Sequence, residues 1–115
     1  VEKKAFFVFN GDPMCFIHVL LNALDMKEKG HDIKLVIEGS SAGLLPKISS
    51  LDKPVPDLFE QVVSENILDA VCKACAAKLG SLDFAKEQGL PLKGDMKGHP
   101  SMSSYIDQGY EIITF

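Results

Sequence analysis

Cys72-Lys73-Ala74-Cys75 places two thiols three positions apart, directly after the short run Leu68-Asp69-Ala70-Val71. A thiolate is a nucleophile and a metal ligand, and a second thiol nearby can resolve a mixed disulfide or persulfide. Cys75 is expected to open a short helical turn that closes at Gly80. Backbone N–H groups at such a start favour the thiolate. Lys73 and Lys78 would add positive charge beside it. In this reading Cys75 is nucleophile and carrier, and Cys72, at a strand end, is the second carrier or resolving thiol. Two small buried residues packed beside an idle cleft are the alternative that the motif leaves open.

Other chemistries fit less well. A zinc site in one chain wants four ligands. Beyond the cysteine pair, His18, His31 and His99 are scattered and form no second close-spaced pair, so no metal is expected. A thioredoxin-like motif normally follows the first or second strand and opens a long helix, whereas here Gly80 ends the helix within two turns. His99, in the loop Gly98-His99-Pro100-Ser101, is a candidate acid or base. Cys15 sits on a dense apolar helix and is read as core. His18 and Asn22, spaced i, i+4 on that helix, are read as partners at a subunit interface. Asn10-Gly11-Asp12-Pro13 lacks the glycine spacing of a phosphate-binding loop, so no nucleotide cofactor is expected.

Strand and helix signals alternate along the chain. Residues 5–9 form a continuous apolar run, as in a strand buried on both faces. Asp12 can cap a helix that Pro13 begins and Gly30 ends. That helix is apolar on more than one stripe, which predicts covered area for a second subunit. A second strand spans residues 33–37, with a short helix over 42–48. Asp57-Leu58-Phe59-Glu60 resembles a capping box opening a helix to about residue 66. The third strand is 68–72. A helix capped by Ser81 runs over 82–88, a short fourth strand covers 90–92, a helix 101–108, and a last strand 110–115. This alternation predicts a single α/β domain over residues 1–115 with a mostly parallel sheet of about five strands. Ligands of such sheets bind beyond the carboxyl ends of the strands. Asn10 to Pro13, Glu38 to Ser41, Cys72 to Cys75 and Lys93 to Pro100 fall there. Asn10, Gly11, Ser40, Ser41 and His99 are therefore supporting candidates around the thiols.

Composition narrows the partners. The 115 residues carry net charge −4, and all 12 basic residues are lysines. The absence of arginine forks and of a basic face argues against nucleic acid and against a bidentate phosphate clamp. No apolar run approaches the roughly 20 residues of a membrane span, and no signal-like region follows Val1-Glu2-Lys3-Lys4. Three cysteines, an odd number, favour free thiols in the reducing cytoplasm over a disulfide framework.

Together, "KAFFVFNGDP", "KGHDIKLVIEGSSAGLL", "VCKACAAKLG", "GLPLKGDM" and the closing "GYEIITF" resemble the DsrE/DsrF-like proteins along nearly the whole chain. That group includes the sulfur-relay TusBCD subunits and the YchN-like proteins. In it a cysteine lies eight or five positions before a glycine. Cys72 and Cys75 stand at both positions before Gly80, as in YchN-like members. The chain departs from the pattern in carrying Lys78-Leu79 where arginine is common. The resemblance implies a three-layer, flavodoxin-like (DsrEFH-like) fold that assembles into trimers or hexamers. It also implies a cysteine that carries persulfide sulfur between donor and acceptor proteins. A non-catalytic binding module and a dithiol redox protein using the Cys72–Cys75 pair remain the alternatives.

Overall fold

In the computed structural model, which describes residues 1–115, five strands form one all-parallel sheet in the order β4-β3-β2-β1-β5. β1 (Lys3–Val8) pairs with β2 (Asp32–Ile37) on one side and β5 (Glu111–Thr114) on the other. β3 (Leu68–Cys72) lies beside β2, with a register shift between Leu35 and Val36. β4 is the short edge Leu92–Lys93.

The strand order explains the layers. The connections from β1 to β4 all step the same way across the sheet, so right-handed crossovers put their helices on one face. These are α1 (Pro13–Glu28), a 3-10 helix (Gly39–Ser50), α2 (Val55–Ser64), α3 (Lys73–Lys78) and α4 (Leu82–Glu87). The last connection must return from the β4 edge to the far side of β1. Its helix, α5 (Met102–Asp107), lies on the opposite face. The result is the three-layer α/β fold expected from the sequence.

Alternation along β1 serves both layers. Phe6 and Val8 join the large core with Phe16, Leu20, Leu35, Ile37 and Val62. Ala5 and Phe7 face the smaller cluster of Val36, Ala70, Tyr105 and Tyr110. All of β1 from Ala5 to Val8 is buried, as parallel strands covered on both faces must be.

Several local expectations are corrected. α2 starts at Val55, because Pro56 is tolerated where first-turn N–H groups have no helical partner. Asp57 therefore sits inside the first turn, near the positive end of the helix, and does not cap it. The hydroxyl of Ser81 does not cap α4 but donates to the Ala42 carbonyl oxygen at 2.8 Å. Cys15 is exposed, not core. The face of α1 turned to the sheet is Phe16, Val19, Leu20 and Ala23, which leaves Cys15 beside the Asn10 side chain (3.5 Å). No helix is long and apolar enough to cross a membrane.

Candidate functional site

Three loops meet at the carboxyl edge over β2 and β3. β2 ends at Ile37 and leads into Glu38 and Gly39, where the 3-10 helix begins. β3 ends in Cys72 and turns directly into α3. The segment after β4 crosses this edge on its way to the opposite face, and that path brings His99 over the thiols.

Cys72 is the N-cap of α3, and its sulfur accepts the Cys75 N–H at 3.4 Å. The helix thus begins two residues earlier than the sequence suggests, and Cys75 lies within its first turn. The sulfur of Cys75 reaches a different donor, the Gly39 N–H at 3.3 Å. Gly39 has φ +57°, and a Cβ there would lie 3.1 Å from the Phe9 carbonyl oxygen, so both the backbone conformation and the close approach favour glycine.

Cys72 is fully buried and Cys75 half-buried. Burial, and then the neighbouring Cys75 thiol, push the Cys72 thiol up to about 12. Imidazole Nδ1 of His99 is 3.1 Å from the Cys72 sulfur and 3.8 Å from that of Cys75. The same nitrogen is 3.7 Å from a carboxylate oxygen of Glu38. Glu38 is only 7% exposed, and burial raises its carboxyl above the ordinary value, with His99 and Cys72 opposing that rise. Glu38 was visible in the sequence only as the first residue of an edge loop. Nothing in its neighbours marks it as a site residue, because its proximity to Cys72 comes from strand pairing.

The His99 loop is pinned at both ends. Met96 and His99 exchange backbone hydrogen bonds, and the Gly98 carbonyl oxygen accepts the Ala74 N–H at 2.8 Å. A hollow of about 370 Å³ opens beside His99 and Glu38, lined also by Phe9, Met96, Pro100 and Met102.

The other candidates fall elsewhere. Asn10, Gly11 and Ser40 line a separate hollow with Lys47 and Leu79. Their polar atoms are engaged in holding the loops. Ser40 Oγ accepts the Gly11 N–H and donates to the Phe9 carbonyl oxygen, and Asn10 accepts the Asp12 N–H. Ser41 is buried, its hydroxyl 2.7 Å from the Val8 and Glu38 carbonyl oxygens. Lys73 and Lys78 are exposed. The sulfurs instead meet Gly39, Gly98, His99 and the cysteine pair's own backbone. Of the residues singled out in the sequence, the fold therefore brings Cys72, Cys75 and His99 together and adds Glu38.

No known protein-family profile matches the chain. The uncharacterized protein MJ0733 of Methanocaldococcus jannaschii is 35% identical over 97 residues, covering 84% of this chain and 77% of that protein. An uncharacterized protein of Archaeoglobus fulgidus is 42% identical over 40 residues, 35% of this chain and 66% of its own. Among solved structures, the conserved protein of unknown function BT1422 from Bacteroides thetaiotaomicron superposes with a TM-score of 0.67 at 16% identity. The match covers 98% of this chain and 95% of that one. At that identity the likeness concerns the fold alone.

Proposed function

The chain belongs to the same family as the uncharacterized protein MJ0733, and for this member we propose a sulfur carrier of the DsrE/DsrF-like kind, acting in the reducing cytoplasm. The observation that carries the reading is the unequal pair at the edge of the sheet. Cys75 is half-exposed with a backbone N–H on its sulfur, and Cys72 is buried beside it. Three free cysteines suit a reducing compartment.

In the loading step the Cys75 thiolate attacks the outer sulfur of a donor persulfide, R–S–SH. The donor S–S bond breaks, its electron pair leaves on R–S⁻, and Cys75 becomes Cys75–S–SH. An acceptor thiolate discharges it by the same displacement, with no net oxidation. In this reading Cys72 is the second carrier or the resolving thiol. Its attack on the Cys75 sulfur expels HS⁻ and leaves a Cys72–Cys75 disulfide, which an external dithiol must reduce. The Gly39 N–H, 3.3 Å away, holds the Cys75 sulfur at the edge of the sheet. Lys73 and Lys78 are exposed, and neither is hydrogen-bonded to a cysteine sulfur.

The experiment is intact mass of the reduced, metal-free protein after incubation with a persulfide donor. A gain of about 32 Da per added sulfur, lost in Cys75→Ser, is expected. No gain on the folded wild type, or a gain that survives Cys75→Ser, sinks the reading.

A trimer or hexamer is part of the proposal, supported by Met14 and Leu21, which α1 leaves exposed. Sedimentation as a monomer at micromolar concentration would contradict it.

A further inference from the structure

Four side chains able to ligate a metal converge at the edge of the sheet. The sulfurs of Cys72 and Cys75, an oxygen of Glu38 and a ring nitrogen of His99 all lie within 4.8 Å of one another. A tetrahedral cation with bonds of about 2.0–2.3 Å requires ligand-to-ligand edges of about 3.3–3.8 Å. The Cys75–His99 edge is 3.8 Å, the His99–Glu38 edge 3.7 Å and the Cys72–His99 edge 3.1 Å. Small side-chain adjustments bring such a set to bonding geometry. We infer that Cys72, Cys75, His99 and Glu38 form a binding site for a borderline-soft divalent cation of the zinc class.

The donor set decides the class. Two sulfurs and an imidazole select zinc-type ions, whereas magnesium and calcium prefer all-oxygen sites. The surroundings support bound thiolates. Each sulfur accepts a backbone N–H, from Cys75 to Cys72 and from Gly39 to Cys75, and such outer donors orient ligands and spread their charge. The buried carboxylate of Glu38 has no lysine in reach, and its one ion-pair partner is His99. A cation would supply the charge that a buried carboxylate otherwise lacks. Glu38 and Cys72 form the buried floor, and Cys75 and His99, half-exposed, leave an entry path.

The ligands come from three separate stretches of chain: Glu38 just after β2, Cys72 and Cys75 at the junction of β3 and α3, and His99 in the loop after β4. This is why a search for close-spaced pairs in the sequence misses the site. The cation and the carried sulfur would compete for the Cys75 sulfur. That competition rests on the carrier reading; the binding site itself does not.

The test uses the reduced chain, stripped with a chelator and titrated with Co²⁺ and then Zn²⁺. One equivalent of Co²⁺ per chain with thiolate-to-cobalt charge-transfer absorption, displaced by Zn²⁺, is expected. Loss of an outer partner of a metal ligand typically costs about 10–100-fold in affinity. In competition with a chromophoric chelator, Cys75→Ser and His99→Ala, which remove ligands themselves, should therefore each weaken Zn²⁺ binding by at least about 100-fold, and Glu38→Gln, which keeps an amide oxygen, by at least about 10-fold. A folded wild type without the charge-transfer band overturns the inference, and this readout needs no variant. So does Zn²⁺ affinity unchanged by Cys75→Ser and His99→Ala. Persulfide loading of metal-free protein is measured in parallel. Loading without zinc binding overturns only the metal site, and zinc binding without loading overturns only the carrier.

Discussion

The Gly98 carbonyl oxygen accepts the Ala74 N–H at 2.8 Å, and a Cβ on Gly98 would stand 3.0 Å from the Ala74 Cβ. This contact fastens the loop that carries His99 to the first turn of the helix that carries Cys75. Gly98 also has φ +96°, where side chains are strained.

Gly98→Ala should therefore destabilise the protein by about 1–3 kcal/mol and displace His99 from the sulfurs. Denaturant unfolding measures the first effect. Adding Ala74→Gly should relieve the steric part and leave the backbone part, so partial recovery is the expected outcome. Full stability in Gly98→Ala alone would contradict this account of the loop.

The three thiols should separate by reactivity in the reduced, metal-free protein. Cys15 and Cys75 are reachable, and Cys72 is fully buried. An alkylating reagent should label two cysteines quickly and the third at least about 100-fold more slowly, at a rate set by opening of the structure. Peptide mapping identifies the protected residue. Fast labelling of Cys72 would show that the packing at the end of β3 is wrong.

Acid stability should depend on Asp69. Burial pushes its carboxyl up, but hydrogen bonds from Lys93 and Tyr105 and the charges of Lys93 and Lys34 outweigh burial and hold it below the ordinary value. A depressed folded value stabilises the protein above the unfolded value near 3.8 and loses that contribution as pH falls through the folded value. Asp69→Asn should thus cost on the order of 1 kcal/mol at pH 7 and much less near pH 2. Urea unfolding across pH 2 to 7 checks the convergence, and parallel curves for the two proteins would refute it.

The two tyrosines should resist ionisation while the chain is folded. Burial raises both phenols well above 10, helped by hydrogen bonds to carboxylates, from Tyr105 to Asp69 and from Tyr110 to Asp32. A raised folded value stabilises the protein below the unfolded value near 10, and the contribution is lost as pH rises through the folded value. Spectrophotometric titration should show phenolate appearing together with unfolding, and at ordinary values in urea. Ionisation of either tyrosine near pH 10 in folded protein would count against this packing.

Much of the architecture was legible because it depends on local signals. The apolar run of β1, the Asp12 cap with Pro13, and Gly30, Gly80, Gly89 and Gly109 at positive φ all act over a few residues. Alternation of strands and helices then implied the parallel sheet and which residues lie at its carboxyl edge. The start of α3 was misplaced because Cys72 caps it through sulfur, an unusual acceptor for that position. Cys15 was misplaced because density of apolar residues on α1 does not say which stripe meets the sheet.

By itself, the sequence determined the class of fold and singled out the cysteine pair at the carboxyl edge of the sheet as the candidate site. Tertiary structure alone decided that Cys72 is buried and Cys75 reachable, and that Glu38 and His99 complete the group. The reason is distance along the chain. Glu38 meets Cys72 through the pairing of β2 with β3, and His99 arrives only because the last crossover runs back over that edge. Neither relation is encoded by any short stretch of residues.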